Sequence, residues 1–382
     1  MNETILKNKI RQLRLRQLFQ LCPVRHCCLL AGVLVIVLHF LLRSNTEFMN
    51  FLTDKFIHPY HQFAAKVCSV VPFSVAEVLC LAFFAAVATY LICGIILIVL
   101  RKEKLRRLYR TIITLVAAAA LIYGGFCVFW GVYYYSDGVA KQGGLSSEKI
   151  SVEQLETVTN YFAGIANTHS SCVPRDDNGL YCEDIDSLFE RSKTIYGNAS
   201  ENFSFLSGPE LKPKPLMISK FMSYINFTGF FFPFTGEANL NVDAPICLLP
   251  STIAHEQAHQ RGVAAEQEAN FAAVLSCMEC GDSSFTYSGA LLAYVHLGNA
   301  LHSVDYEAWE KVYFSLNEQV RADLRANNAY WDQFETKAAE VSEELYENFL
   351  QSYGQELGMK SYGACVDLLV NYYYETALGG AR

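Results

Sequence analysis

The amino-acid sequence predicts an integral membrane protein in which three transmembrane α-helices are joined to a mainly helical α+β domain outside the membrane. Three observations lead there. Hydrophobic residues make up 52% of the 382 positions, too many for an ordinary soluble chain of that length. The charge is divided, with residues 1–136 carrying +10 and residues 137–382 carrying −18, together the net −8. The apolar residues gather in three long runs within the first 135 positions.

A helix needs about 20 residues to cross a bilayer. The runs Cys27–Leu42, Val78–Leu100 and Thr111–Tyr134 meet or approach that length, the first needing its flanks to complete the span. The first run stands behind a polar leader, 1–26, and lacks a small-x-small cleavage site, which favours a retained anchor over a removed signal peptide. Lys and Arg are kept on the cytoplasmic side. Lys7, Lys9, Arg11, Arg14, Arg16 and Arg25 precede the first span, and Arg101, Lys102, Lys104, Arg106, Arg107 and Arg110 follow the second. Both ends are therefore expected in the cytoplasm, and three spans then place everything after Tyr135 outside. Trp130, Tyr133, Tyr134 and Tyr135 close the third run as an interfacial aromatic belt should. The resulting division is a cytoplasmic leader (1–26), a three-helix membrane region (27–135) and an extracytoplasmic domain (136–382) in a multi-pass protein of the cell membrane. The spans lack a central charge; Glu77 stands at the entry of the second, so a transporter is disfavoured and the lipid bilayer is the expected partner.

The acidic second part gives no support to nucleic acid as a partner, since a basic face is normally needed to displace counterions from phosphates. Its six cysteines, Cys172, Cys182, Cys247, Cys277, Cys280 and Cys365, permit disulfides outside the cytoplasm without fixing connectivity; Cys172 and Cys182, which bracket a polar loop, are the first candidates. Periodicity predicts helices over Val152–Ile165, Ala264–Cys280, Gly289–His302, Asp305–Asn327, Tyr330–Phe349 and Cys365–Glu375. The aromatic, Gly- and Thr-rich stretch Phe221–Asn241 reads as short strands or a hairpin, and Lys212-Pro-Lys-Pro as a rigid connector before it.

His255-Glu256-Gln257-Ala258-His259 has the form HExxH. On a helix, residues four apart share a face, so both imidazoles can reach one metal while Glu256 projects about 100° round. Zn2+ held there would polarise a scissile carbonyl and acidify its water, with Glu256 as the catalytic base. Pro250-Ser-Thr supplies a helix start and Gly262 a stop. A histidine at 265, as in HExxHxxGxxH, is absent: the residue is Ala265. The following Glu266-Gln-Glu-Ala-Asn270 resembles the ExxAD string of membrane gluzincins. That resemblance implies Glu266 as third ligand and Asn270 as the residue bracing a histidine from outside the ligand set. A straight helix would separate His259 from Glu266 by about 10 Å, so the chain must fold back at Gly262. Glu268 points about 200° from Glu266 and has Ala272 one turn on, which can brace nothing.

With HExxHQRG, ExEANF, Pro233–Asn239 (PFTGEAN), Tyr287–Gly289 (YSG), Lys360–Gly363 (KSYG), Pro72–Glu77 and Trp130-Gly-Val, the chain resembles one family along nearly its whole length. These are bacterial three-span membrane proteins catalogued as a domain of unknown function with a zinc-peptidase-like motif. The resemblance implies a zincin-like outer domain and a peptide or protein substrate. Glu237 sits where gluzincins place the edge strand that pairs with substrate; a substrate-binding role competes there with that of a hydrogen-bonded turn residue. Tyr287, Tyr294 and His296 are candidates to steady an oxyanion, each against a packed-core role.

Three functions compete. A membrane-anchored zinc peptidase acting outside the membrane uses every motif residue. A non-catalytic zinc-binding sensor or assembly factor has no need of Glu256. An intramembrane protease fits poorly, because Arg261, Glu266 and Glu268 crowd the motif and no apolar run of spanning length surrounds it.

Overall fold

The computed structural model describes residues 17–146, 148–354 and 362–380. Lys7, Lys9, Arg11, Arg14 and Arg16 of the leader, and Lys360 and Ser361 of the KSYG string, lie outside the described residues. The chain separates into two compact units. One holds the residues up to Met49 with Val78–Tyr135; the other holds Asn50–Glu77 with Ser136–Arg382. The difference from the sequence-based division is the connection between the first two apolar runs, which clusters with the C-terminal domain.

The helices Pro23–Leu42 and Val75–Leu100 and the helical run Lys104–Gly131 are long and apolar enough to cross a membrane. Each begins before its apolar run, because polar and proline-containing flanks supply the first turn; Pro23 stands at the start of the first, where its missing N–H costs nothing. In the first unit, the helices Pro23–Leu42 and Lys104–Phe126 pack closely, backbone to backbone at Gly32 and Gly124. A Cβ on Gly32 would stand 2.7 Å from the Ala120 carbonyl carbon, and one on Gly124 would stand 3.2 Å from the Gly32 oxygen. Small residues let helix backbones approach where burial of apolar surface gives no driving force. At one end of this pair Arg25 donates to the Arg110 carbonyl (2.8 Å) and Arg110 to the Leu21 carbonyl (3.0 Å). Two basic residues from the two predicted cytoplasmic clusters thus meet at the same end of parallel helices.

The second unit is mostly helical around one small sheet. Strand β1 (Lys214–Pro215) pairs in parallel with β3 (Glu237–Leu240), and β2 (Gly229–Phe232) pairs antiparallel with β3, giving the order β1-β3-β2. The β2–β3 hairpin is the one expected within Phe221–Asn241. The Lys-Pro segment read as a connector instead contributes β1: a proline fits an edge position, where its missing N–H leaves no ladder bond unmade.

The apolar core gathers around the helix Ser283–Val304, with Phe162, Phe271, Leu275, Phe285 and Leu297 fully buried. The helix expected over Asp305–Asn327 is two, Tyr306–Ser315 and Glu318–Asp332. Asn317 breaks it. Its side chain accepts from Val320 N–H and donates to Asn167 O and Ser170 Oγ, while its own N–H meets Asn167 Oδ1, so its groups are used in a cap and a tertiary anchor. All thirteen cysteines are free thiols, Cys172 and Cys182 included. Cys182 N–H instead bonds Pro174 O in a small hairpin, two residues out of register with Cys172.

The segment Asn50–Glu77 buttresses the sheet. Its helix His58–Cys68 lies against the β2–β3 turn, where Gly236 (φ +68°) would place a Cβ 2.4 Å from the His61 carbonyl. Tyr60 donates to Phe234 O, and Ser74 Oγ to Asn239 Oδ1 at 2.6 Å.

Candidate metal centre

The motif helix runs Leu249–Gln260, with Pro250 in its first turn. It stops where Gly262 takes φ +91°, a left-handed conformation that glycine adopts without steric cost. The N–H groups of Arg261, Gly262 and Val263 return to the carbonyls of Ala258, His259 and Ala258. The chain then reverses into the helix Glu266–Glu279, as the rise argument demanded.

The fold-back brings His255, His259 and Glu266 together, with one potential ligand atom of each within 4.8 Å of the others. Glu266 Oε2 is 3.2 Å from His255 Nε2, and Oε1 is 3.6 Å from His259 Nε2. Both imidazoles are fixed from behind. His255 Nδ1 lies 2.9 Å from Asn270 Oδ1, and His259 Nδ1 lies 2.6 Å from Val263 O. Both partners are acceptors, so each Nδ1 carries the proton and each Nε2 is left to accept a proton or a cation.

Charge follows the geometry. Burial would lower the His259 pKa, but the Glu266 carboxylate outweighs it and holds the imidazole up at about 9. Burial would equally raise Glu266; the His259 charge and hydrogen bonds from both histidines instead hold it well below the usual carboxylate range. Two imidazole nitrogens and a carboxylate, all oriented, are the donor set that borderline divalent metals favour.

Glu256 is buried beside this cluster. Burial pushes its carboxyl up to about 7, with the His255 and His259 charges opposing. Among the described residues its Oε2 meets no hydrogen-bonding partner. The strand β2 begins at its back: a Cβ on Gly229 would stand 2.8 Å from Glu256 Oε1 and 2.8 Å from Asn239 O. Glycine there lets the hairpin close on Glu256.

Glu268 is turned elsewhere. Its Oε1 accepts from Ala140 N–H at 3.1 Å, at the start of the short helix Val139–Gln142, and a Cβ on Gly138 would collide with its carboxylate.

The other predicted residues lie as follows. Both oxygens of buried Glu237 accept backbone N–H groups at the head of the helix Val75–Leu100, from Val75 (3.1 Å) and Ala76 (2.8 Å). Glu77 answers from that helix, accepting from Met217 N–H (3.0 Å) and Ile218 N–H (2.8 Å) before the helix Ser219–Tyr224. The Tyr287 hydroxyl donates to Asp323 at 2.5 Å, in a buried cluster with Arg175. Tyr294 is buried, and burial raises its hydroxyl to about 12. His296 is also buried; burial first, and then the His255 charge, lower it to about 4.

One residue at the site carries no mark in the sequence. Tyr346, from the helix Lys337–Ser352, donates its hydroxyl to Glu266 Oε1 at 2.6 Å and packs edge-on against Phe227. It stands 80 residues from Glu266, and no motif or period singles it out.

The chain is thus a mostly helical protein with three helices fit to cross a membrane and a second unit that gathers two histidines and a carboxylate across a helix reversal. Residues 53–370 match the family described as "Protein of unknown function (DUF3810)", and the chain belongs to that family. Neither the curated proteins nor the solved structures contain a match to it.

Proposed function

We propose that the protein is a membrane-anchored, zinc-dependent peptidase of gluzincin type, its catalytic unit outside the cytoplasm and its N-terminus inside. Its substrates are peptides or proteins on that outer side. The observation that carries this reading is Glu256, a buried carboxylate with one unpartnered oxygen beside an oriented two-histidine, one-carboxylate set. A site that only held a metal would have no use for it.

His255, His259 and Glu266 would hold the ion, with Asn270 and the Val263 carbonyl fixing the rings. A zinc ion there supplies Lewis-acid polarisation of a peptide carbonyl. Glu256 takes the proton of the attacking water and returns it to the leaving amine nitrogen as the C–N bond breaks. Tyr346 gives its O–H to Glu266 and so steadies the carboxylate of the ligand set, while Tyr287 gives its own to Asp323.

The test is cleavage of a peptide library by the detergent-purified full chain. Wild type should cleave, and Glu256→Gln should keep its zinc while losing turnover by several orders of magnitude. Equal cleavage by both forms would refute the mechanism. Zinc retention by both with no cleavage by either would point to the non-catalytic sensor or assembly factor instead.

A further inference from the structure

We propose that the second unit carries a lipid-interface surface of its own, made by Phe56, Phe63, Val67 and Val70 together with Met217 and Phe221, which seats in the bilayer boundary. The proposal rests on the reading that the three apolar helices cross a membrane.

The first four residues form one stripe. They stand at intervals of seven, four and three through the turn Thr53–Ile57, the helix His58–Cys68 and the residues after it, so they share a face. Each is solvent-exposed, Phe63 at 67% and Val70 at 84%. The opposite face carries His61 and Ala65, both buried against the β2–β3 turn. The helix therefore has two used faces, one packed on the sheet and one apolar and bare. Met217 and Phe221 are 66% and 57% exposed.

The occupant follows from chain connectivity. The stripe lies in the connection between two helices fit to span a membrane, so both of its ends return to the same bilayer face. An 11-residue helix is about 16 Å long, too short to carry the segment far from that face. Met217 is tied to the same level, because its N–H is held by Glu77 in the first turn of the helix Val75–Leu100. Lys214 adds a second tie by donating to the Val71 carbonyl. Exposed Lys55 and Lys66 lie among the apolar residues of the stripe, where their ammonium groups can reach lipid phosphates while their stems stay in apolar surroundings. Amphipathic helices with this distribution lie in the plane of the interface.

The full chain is reconstituted into phosphatidylcholine vesicles with either ordinary or brominated acyl chains, and tryptophan emission is compared. Of the three tryptophans, Trp130 stands in the third apolar helix and Trp309 and Trp331 in the second unit, so partial quenching of the wild-type emission reports insertion in every sample. Phe63→Trp and Phe221→Trp should each add emission that the brominated lipid quenches for the most part. Phe314→Trp, equally exposed on the helix Tyr306–Ser315, should add emission that is not quenched. If wild type is quenched but the Phe63→Trp and Phe221→Trp increments are not, the surface proposal is overturned and the spanning helices stand. A blue shift of those increments that tracks protein density without quenching would give the face to a second copy of the chain, and also overturns it. If wild type itself is not quenched, the spanning reading fails and the proposal with it.

Discussion

Two buried polar clusters lie in the second unit, and the contrast between them separates scaffold from site. Around Asp323, every strong group has a complement. The carboxylate accepts from Arg175 (3.1 Å), Tyr181 N–H (2.9 Å) and Tyr287 O–H (2.5 Å), and Arg175 also donates to Ser170 O and Gly179 O. Around Glu266 the balance is different: His255, His259 and Glu266 converge with buried Glu256 beside them, and Tyr346 donates its hydroxyl to Glu266. The first cluster is closed on itself. The second sets two imidazoles against two carboxylates and leaves Glu256 Oε2 without a hydrogen-bonding partner among the described residues.

The comparison can be broken by mutation. Asp323→Ala leaves the Arg175 guanidinium and the Tyr287 hydroxyl without their acceptor, and should cost about 3–5 kcal/mol of stability, the usual result of removing one member of a buried pair. Chemical denaturation of the detergent-solubilised chain reads it. A loss no larger than that of an exposed substitution would show the cluster to be less closed than its geometry says. Next comes Gly229→Ala, which sets a methyl group against Glu256 Oε1 and the Asn239 carbonyl. Displacing a reacting group by about 1 Å can cost about 100-fold in rate, so turnover should fall by that order with zinc retained. Unchanged turnover would mean that the hairpin does not position Glu256. The smallest effect is expected for Tyr346→Phe, which removes one hydrogen bond to Glu266. Metal affinity or turnover should drop about tenfold, the low end for a group that orients a ligand. A gain in metal affinity would show instead that the phenol competes with the ion.

Local pattern made part of this legible before any coordinates. The three apolar helices follow from run length, and the reversal at Gly262 from helical rise. Side-chain direction along one helix says only that Glu266 and Glu268 cannot both face the histidines. The preference for Glu266, with Asn270 as its companion, comes from the ExxAD-like string, and it is Glu266 and Asn270 that stand beside His255. What escaped depends on contacts distant in sequence. Glu237 and Glu77 hold each other's neighbouring helix starts across about 160 and 140 residues, and nothing in TGEAN or PFSVAE states that pairing. Tyr287 is claimed by Asp323, on a helix whose start at Asn317 periodicity alone ran through. Tyr346 was missed because a tyrosine in an amphipathic helix looks like any other packed aromatic.

The most direct test of the open cluster is metal content. Full-length wild type, Glu266→Ala and Glu268→Ala are purified in detergent, dialysed against trace zinc and analysed for bound metal alongside a folding check. Wild type and Glu268→Ala should hold stoichiometric zinc, since Glu268 caps the helix Val139–Gln142, and Glu266→Ala should lose it while staying folded. A folded wild type without zinc, or a Glu266→Ala protein that keeps it, would contradict the account.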